Sequence, residues 1–207
     1  MNFFVGHSLL ENVDEALAEA TKSFQDSSFI FYFAPLSKIK EVTEKIYALF
    51  PNSTCVGTST YYVYSKSGLR RNGISCFGFK DVLETAVDVI LEIDRYPLKY
   101  LPRVEKALNK LSSTDNTICL EFSTAFSMSE ELILTTLNSV CSKYNIPVAG
   151  GNAGMSPEEL KSGIRETYVG FNGKCYENAC VFAFLKSSVN PIKIYDEHFY
   201  KPTGIEL

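Results

Sequence analysis

The chain has 207 residues, of which 45% are apolar, and a net charge of −4. That length allows one large domain or two small ones, with enough apolar side chains for a packed core. The 20 Lys and Arg are scattered and outnumbered by 24 Asp and Glu, which argues against a nucleic-acid partner, and no run of 18 apolar residues offers a membrane span.

Phe3–Val5 reads as a short strand closed by Gly6. Val13, Leu17, Ala20 and Phe24 recur at helical spacing and predict a helix from Asn12 to Phe24. Phe29–Phe33 is apolar throughout, the pattern of a strand covered on both faces. Ser37 is a candidate N-cap for a helix with Ile39, Val42, Ile46 and Leu49 on its buried stripe. Thr54–Gly57 is the next strand and leads into Thr58, Ser59 and Thr60. Tyr61–Tyr64 then extends toward Ser67-Gly68. Ile74–Phe79 and Ala86–Glu92 read as antiparallel strands joined by a turn at Asp81.

Leu98, Leu101, Val104, Leu108 and Leu111 form a helical stripe after Pro97. Residues 112–116 are a loop, and Ile118–Phe122 is a second buried strand. Ser127 with Glu130 suggests a capping box for a helix from Met128 to Tyr144. Ile146–Val148 is a short strand running into Ala149-Gly150-Gly151-Asn152-Ala153-Gly154. Ser156, Pro157 and Glu159 mark a short helix that Gly163 stops. Thr167–Phe171 and Ala179–Leu185 read as a hairpin through Asn172-Gly173. Ile192–Tyr195 is one more strand candidate. Residues 201–207 read as a linker toward a missing C-terminal domain, within a domain spanning 1–200.

Three blocks repeat in the same order. Lys66-Ser67-Gly68-Leu69-Arg70 matches Lys161-Ser162-Gly163-Ile164-Arg165. Val56-Gly57-Thr58 matches the strand before Gly150, and Cys76–Phe79 matches Tyr168–Phe171. The chain therefore reads as two copies, about 27–95 and 116–186, of strand, helix, strand, glycine loop and antiparallel strands. The expected class is α/β: mixed sheets with helices on their outer faces, as a four-layer αββα sandwich if two sheets pack. Matched glycine loops should then approach each other across a pseudo-twofold axis.

Those loops carry the candidate ligand residues. Gly150, Gly151 and Asn152 follow a buried strand where glycine lets a group approach the main chain, although a plain tight turn explains the same residues. Gly151 is expected to hold a positive φ or a close contact. Thr58, Ser59 and Thr60 offer hydroxyls, and Arg70 a guanidinium suited to a carboxylate. Arg165 is the structural counterpart of Arg70. Glu121 and Ser123 lie at the C-terminal end of a buried strand, where α/β sheets gather ligands. The alternative for Glu121 is an ion pair or a helix cap.

Other chemistry finds little support. The glycine loops lack the Gly-Lys-Ser/Thr of a phosphate-binding loop. Six cysteines without Cys-x-x-Cys and only two histidines, His7 and His198, argue against a zinc site and for buried free thiols. No local pattern assembles a Ser-His-acid triad. Met1–Gly6 has neither a basic n-region nor a long apolar stretch, so no signal peptide is expected, and the free thiols lead to the expectation of a cytoplasmic protein.

Val56-Gly57-Thr58-Ser59-Thr60 and Pro147-Val148-Ala149-Gly150-Gly151-Asn152-Ala153-Gly154 resemble the two signatures of the FIST N-terminal domain, the second being a Pro-x-x-Gly-Gly-x-Ala-Gly pattern. Val5-Gly6-His7-Ser8 and the closing hairpin fit as well, so the resemblance spans nearly the whole chain. It implies an intracellular sensory module for a small ligand such as an amino acid, with no enzymatic activity and no cofactor. It also implies a following FIST C-type domain and a signalling output such as a chemoreceptor segment, a histidine kinase or a cyclic-dinucleotide enzyme. Two alternatives stand beside it: a ligand-free interaction module, expected to expose an apolar patch, and an unrecognised hydrolase. A binding module predicts an enclosed polar pocket between the two glycine loops.

Overall fold

Strand β1 (Phe3–Ser8) and helix α1 (Val13–Ala20) precede the first of two strand-helix-strand units. The computed structural model describes residues 3–65, 68–80, 83–188 and 191–194. The first unit is β2 (Phe29–Ala34), α2 (Ile39–Leu49) and β3 (Thr54–Ser59), with β3 parallel to β2. A small hairpin follows, β4 (Tyr62–Ser65) and β5 (Gly68–Arg71), then β6 (Ile74–Phe79) and β7 (Leu83–Leu91). After a 3-10 turn at Pro97–Tyr100 and helix α3 (Leu101–Leu108), the second unit is β8 (Thr117–Ser123), α4 (Glu130–Cys141) and β9 (Val148–Asn152), again parallel. Helix α5 (Pro157–Lys161), β10 (Val169–Phe171), β11 (Lys174–Tyr176) and β12 (Ala179–Ser187) complete the described elements.

The strands form two main sheets, ordered β1-β6-β2-β3-β10-β11 and β7-β12-β8-β9. Strand alternation sorts their side chains. Ile30, Tyr32 and Ala34 pack with α1 and α2, while Phe29 and Phe31 turn to the opposite face. On the second sheet, Cys119, Cys180, Phe182 and Phe184 pack with α3 and α4. Between the sheets, Phe29, Val56, Ile118, Val169, Val181 and Leu185 make a third core. The layers are therefore helix, sheet, sheet, helix, which is why β2 is apolar at every position.

Local signals explain most boundaries. Asn12 Oδ1 accepts the Glu15 N–H, 3.1 Å away, and starts α1. Ser156 and Glu159 close a reciprocal capping box on α5. Gly68 (φ +95°) and Gly163 (φ +92°) share the left-handed conformation, so the repeated Lys-Ser-Gly-x-Arg string bends the backbone alike at both glycines.

Several expectations change. The helix after β8 begins at Glu130, not Met128, and Ser127 does not cap it. Phe126 (φ 68°) and Met128 (φ 53°) are left-handed, and no helix can pass through them. β10 does not pair with β12. Asn172 and Gly173, both at positive φ, turn β10 into the short β11, and the chain then crosses to the other sheet, where β12 lies between β7 and β8. The third repeat block also diverges, since β6 pairs with β2 whereas β10 pairs with β3. Ser37 does not cap α2, whose preceding residue is Lys38. Leu49 and Leu98 are exposed rather than buried. Residues 191–194 carry no strand, and Tyr195, Asp81, Lys66, Ser67, His198 and residues 201–207 lie outside the described residues.

Candidate functional site

The C-terminal ends of β3 and β9 meet. The Gly154 N–H donates to the Ser59 carbonyl at 2.7 Å, so the two glycine loops are joined across the gap between the sheets. Beside this bond opens a cavity of about 350 Å³ lined by Phe31, Phe33, Thr58, Thr60, Phe122 and Gly151 among others. It is a cleft open to solvent with mainly apolar walls, not the enclosed polar pocket expected from the sequence.

Alternation decides which residues face it. In β3, Gly57 and Ser59 point to the helix side, and Thr58 points to the cleft. The Ser59 hydroxyl is used by the fold, accepting from the Tyr168 N–H at 3.3 Å. The Thr60 hydroxyl donates to the Tyr62 carbonyl at 3.0 Å. Among the described residues the Thr58 hydroxyl has only the Ser59 and Tyr168 carbonyls, at 3.4 and 3.5 Å, as acceptors and is the least committed of the three.

The glycines have three different reasons. A Cβ on Gly57 would stand inside the Tyr32 ring, and one on Gly170, which pairs with Gly57, would meet the Tyr32 hydroxyl. The two glycines thus form a slot for the buried Tyr32, whose hydroxyl donates to Thr43 Oγ1 at 2.9 Å. A Cβ on Gly150 would strike the Glu121 carbonyl of the neighbouring strand. Gly151 differs from both. Its φ is not positive, and a Cβ there would meet nothing within 4 Å. The expected strain or close contact at Gly151 is absent because its missing side chain would project into the cleft, on the same face as its register partner Phe122.

Glu121 and Ser123 lie on the other side of β8, in a separate cavity of about 520 Å³ that also includes Glu130 and the exposed face of β9. The Glu121 carboxylate is 6% exposed and accepts from Ser123 Oγ at 2.6 Å. No ion pair involving Glu121 occurs among the described residues, so the salt-bridge alternative is not met. Desolvation by burial pushes its carboxyl above the usual range. The folded state therefore favours protonated Glu121, a contribution to stability that is present below the unfolded carboxyl's range and lost as the pH rises through the folded one. Glu121→Gln should consequently gain stability over wild type as pH is raised from about 4 to 7, measured by thermal unfolding; a constant difference across that range would contradict the assignment. Asn152 turns to this same side, where its Nδ2 donates to Glu130 Oε1 at 3.0 Å.

The two repeat arginines separate. Arg70 sits on the β4–β5 hairpin, away from the cleft, and donates to its neighbour's Leu69 carbonyl at 3.0 Å. Arg165 lines a third cavity of about 300 Å³ with Asp94, Phe126, Ser127, Glu166 and Glu177. It donates to the Leu160 and Ile164 carbonyls, both at 2.8 Å, and its guanidinium lies 6.0 Å from the Phe126 ring. Neither arginine lines the cleft between the glycine loops, where Arg70 was expected, and Arg165 lines this separate cavity instead. The left-handed Phe126 and Met128 flank Ser127, whose buried hydroxyl has no partner among the described residues. No local signal marks this strained loop, because nothing in Ala125–Ser129 is a usual left-handed residue. Equally hidden was the aromatic cleft wall, whose phenylalanines read as ordinary core.

On the inner face of the first sheet, Phe3 and Val5 pair with Phe79 and Phe77 beyond the reach of the second sheet, and they are 56% and 52% exposed. An exposed apolar face of this kind is what an interaction module requires. Five of the six cysteines are buried free thiols, and Cys175 is half-buried. No cluster suited to a metal ion occurs among the described residues. Likewise no described helix is long and apolar enough to cross a membrane.

Curated proteins yield no match to the chain. Among solved structures it aligns to apo histidyl-tRNA synthetase from S. aureus at 8% identity and a TM-score of 0.19, over 72% of this chain and 46% of that one, a likeness that carries no inference. The family comparison is decisive by contrast: the FIST N domain model matches residues 28–207, from the start of the first strand-helix-strand unit through both glycine loops. The chain belongs to the FIST N domain family, the sensory domains of signalling proteins.

Proposed function

We propose that this domain senses a small metabolite inside the cell, and that the metabolite occupies the cleft between the ends of β3 and β9. The observation that carries this reading is Gly151. Its φ is not positive, and of the signature's glycines it is the one whose added Cβ would meet nothing within 4 Å and would project into the cleft. A position kept clear in this way suits entry of a ligand. Gly151→Val should keep the fold, since a β-branched residue suits an exposed strand, while filling the cleft.

A thermal-shift screen of amino acids and metabolites tests this. A ligand at about 100 times its Kd stabilises the native state by about 2.7 kcal/mol, which is readily read as a rise in melting temperature. Wild type should show such a rise with at least one compound, and Gly151→Val, melting near the same temperature alone, should not. A hit that acts equally on both proteins would contradict the cleft as the site.

A second reading places a zwitterionic amino acid in the cavity of Arg165. The specific observation in its favour is that Arg165 stands there beside Asp94, Glu166 and Glu177, so both charges of the ligand have a partner. On that reading Arg165→Lys should weaken an amino-acid hit by roughly thirtyfold, equivalent to about 2 kcal/mol, and Arg70→Lys should leave it unchanged.

A further inference from the structure

We infer that the cleft between β3 and β9 is built for an uncharged aromatic ligand that carries an amide-type pair of donor and acceptor. The inference rests on the proposed placement of the ligand in that cleft. Three features of the walls lead to it.

The first is the ring cluster. Phe33 and Phe122 meet edge to face at 5.7 Å and 89°, and Phe31 meets Phe33 at 5.8 Å and 81°. Phe77 stacks behind Phe31 at 4.9 Å. These rings are only partly buried, so ring faces and edges stand ready for one more aromatic group at the same spacings. The second is charge. The described lining contains no Lys, Arg, His, Asp or Glu. An ionised group would lose hydration against phenylalanine and gain no counter-ion.

The third is the edge of β9. In a parallel ladder, alternate residues of a strand direct both backbone groups to the same neighbour. The Cys119 N–H donates to the Pro147 carbonyl, and the Ala153 N–H donates to the Ser123 carbonyl, both toward β8. The odd-numbered residues of β9 therefore face β8, and Gly150 and Asn152 aim their N–H and C=O groups at the open edge. β9 is the last strand of its sheet among the described residues. The next outward N–H, that of Gly154, is already taken by Ser59. Gly150 and Asn152 both line the cleft, so a ligand amide can pair with their backbone as an added strand would, while its ring enters between Phe31, Phe33 and Phe122. The loosely bonded Thr58 hydroxyl supplies a further donor.

The test uses fluorine NMR of 4-fluorobenzamide, 4-fluorobenzoate, 4-fluorobenzylamine and 4-fluorotoluene with the full chain and with Gly151→Val. Circular dichroism and melting of the variant establish that it is folded. Phe33→Leu, which keeps an apolar side chain but removes the ring, serves as a second variant. The benzamide is expected to broaden and shift in wild type, to bind about tenfold tighter than each of the other three, and to lose its response in both variants. Charged probes that bind as well as the benzamide, with the same dependence on Gly151, would overturn the ligand class and leave the cleft standing as the site. The toluene binding as well as the benzamide would overturn the role of the β9 edge. If no probe senses Gly151→Val, the class fails, and a screening hit that still senses it shows the cleft reading intact; if no hit senses it either, both fail.

Discussion

Tyr32→Ala is expected to destabilise the fold by about 3–5 kcal/mol, and Gly57→Ala by about 1–3 kcal/mol. Tyr32 is fully buried beneath α2, and its ring fills the slot that Gly57 and Gly170 leave in the sheet. Removing the ring opens a cavity and takes away the donor to the Thr43 hydroxyl, which keeps its own bond to the Ile39 carbonyl. Adding a methyl at Gly57 instead drives carbon into the ring, in a layer where neighbours on both sides are packed. Burial holds the Tyr32 phenol well above its usual pKa, so it remains a donor to Thr43 throughout the ordinary pH range. For a chain of this size each kcal/mol lowers the melting temperature by about 2–4 °C. The double variant should lose less than the sum, because the added methyl has no ring to meet once Tyr32 is alanine. Full additivity in urea or thermal unfolding would show that the slot is not what these glycines provide.

The adjacent glycines of β9 should behave in opposite ways. A Cβ on Gly150 would overlap the Glu121 carbonyl and approach Glu121 Cγ within 2.9 Å. The obstacle is chiefly backbone, held in the β8–β9 ladder, and no rotamer change relieves it. Gly150→Ala is expected to cost about 1–3 kcal/mol. Gly151→Ala, with open space ahead of it, should stay within about 0.5 kcal/mol of wild type. Equal melting temperatures for the two variants would mean that β9 moves freely from β8, and the cleft would then have no fixed wall.

The architecture was legible where burial on both faces left its mark. Phe29–Phe33 is apolar at every position, and Ile118–Phe122 at every position but Glu121, because each lies between helices and a second sheet. Both strand-helix-strand units were legible in their apolar strands and helical stripes, and Gly68 and Gly163 share one conformation. Strand partnership was not legible. The sequence from Tyr168 to Leu185 offers one good hairpin turn, and nothing in it reveals that the chain leaves one sheet after Tyr176 and enters the other at Ala179. The left-handed Phe126 and Met128 were equally silent, since neither residue type favours that conformation. At the site, the sequence located the meeting of the two loops but assigned its glycines one common role. Their roles differ because each Cα sees a different neighbour: a tyrosine ring at Gly57, a backbone carbonyl at Gly150 and open space at Gly151. The difference between Arg70 and Arg165 depends on which loop curls over a cavity, and two nearly identical local strings cannot encode that.

The most direct measurement is an amide NMR titration of the isotope-labelled chain with the strongest hit of the metabolite screen. Resonances of Phe31, Phe33, Thr58, Thr60, Phe122 and Gly150–Asn152 should shift together and saturate at one affinity, and the shifts should vanish in Gly151→Val. Shifts centred on Thr124–Ser127 and Arg165–Thr167, or none in the loops that Gly154 and Ser59 join, would contradict the placement of the ligand between β3 and β9.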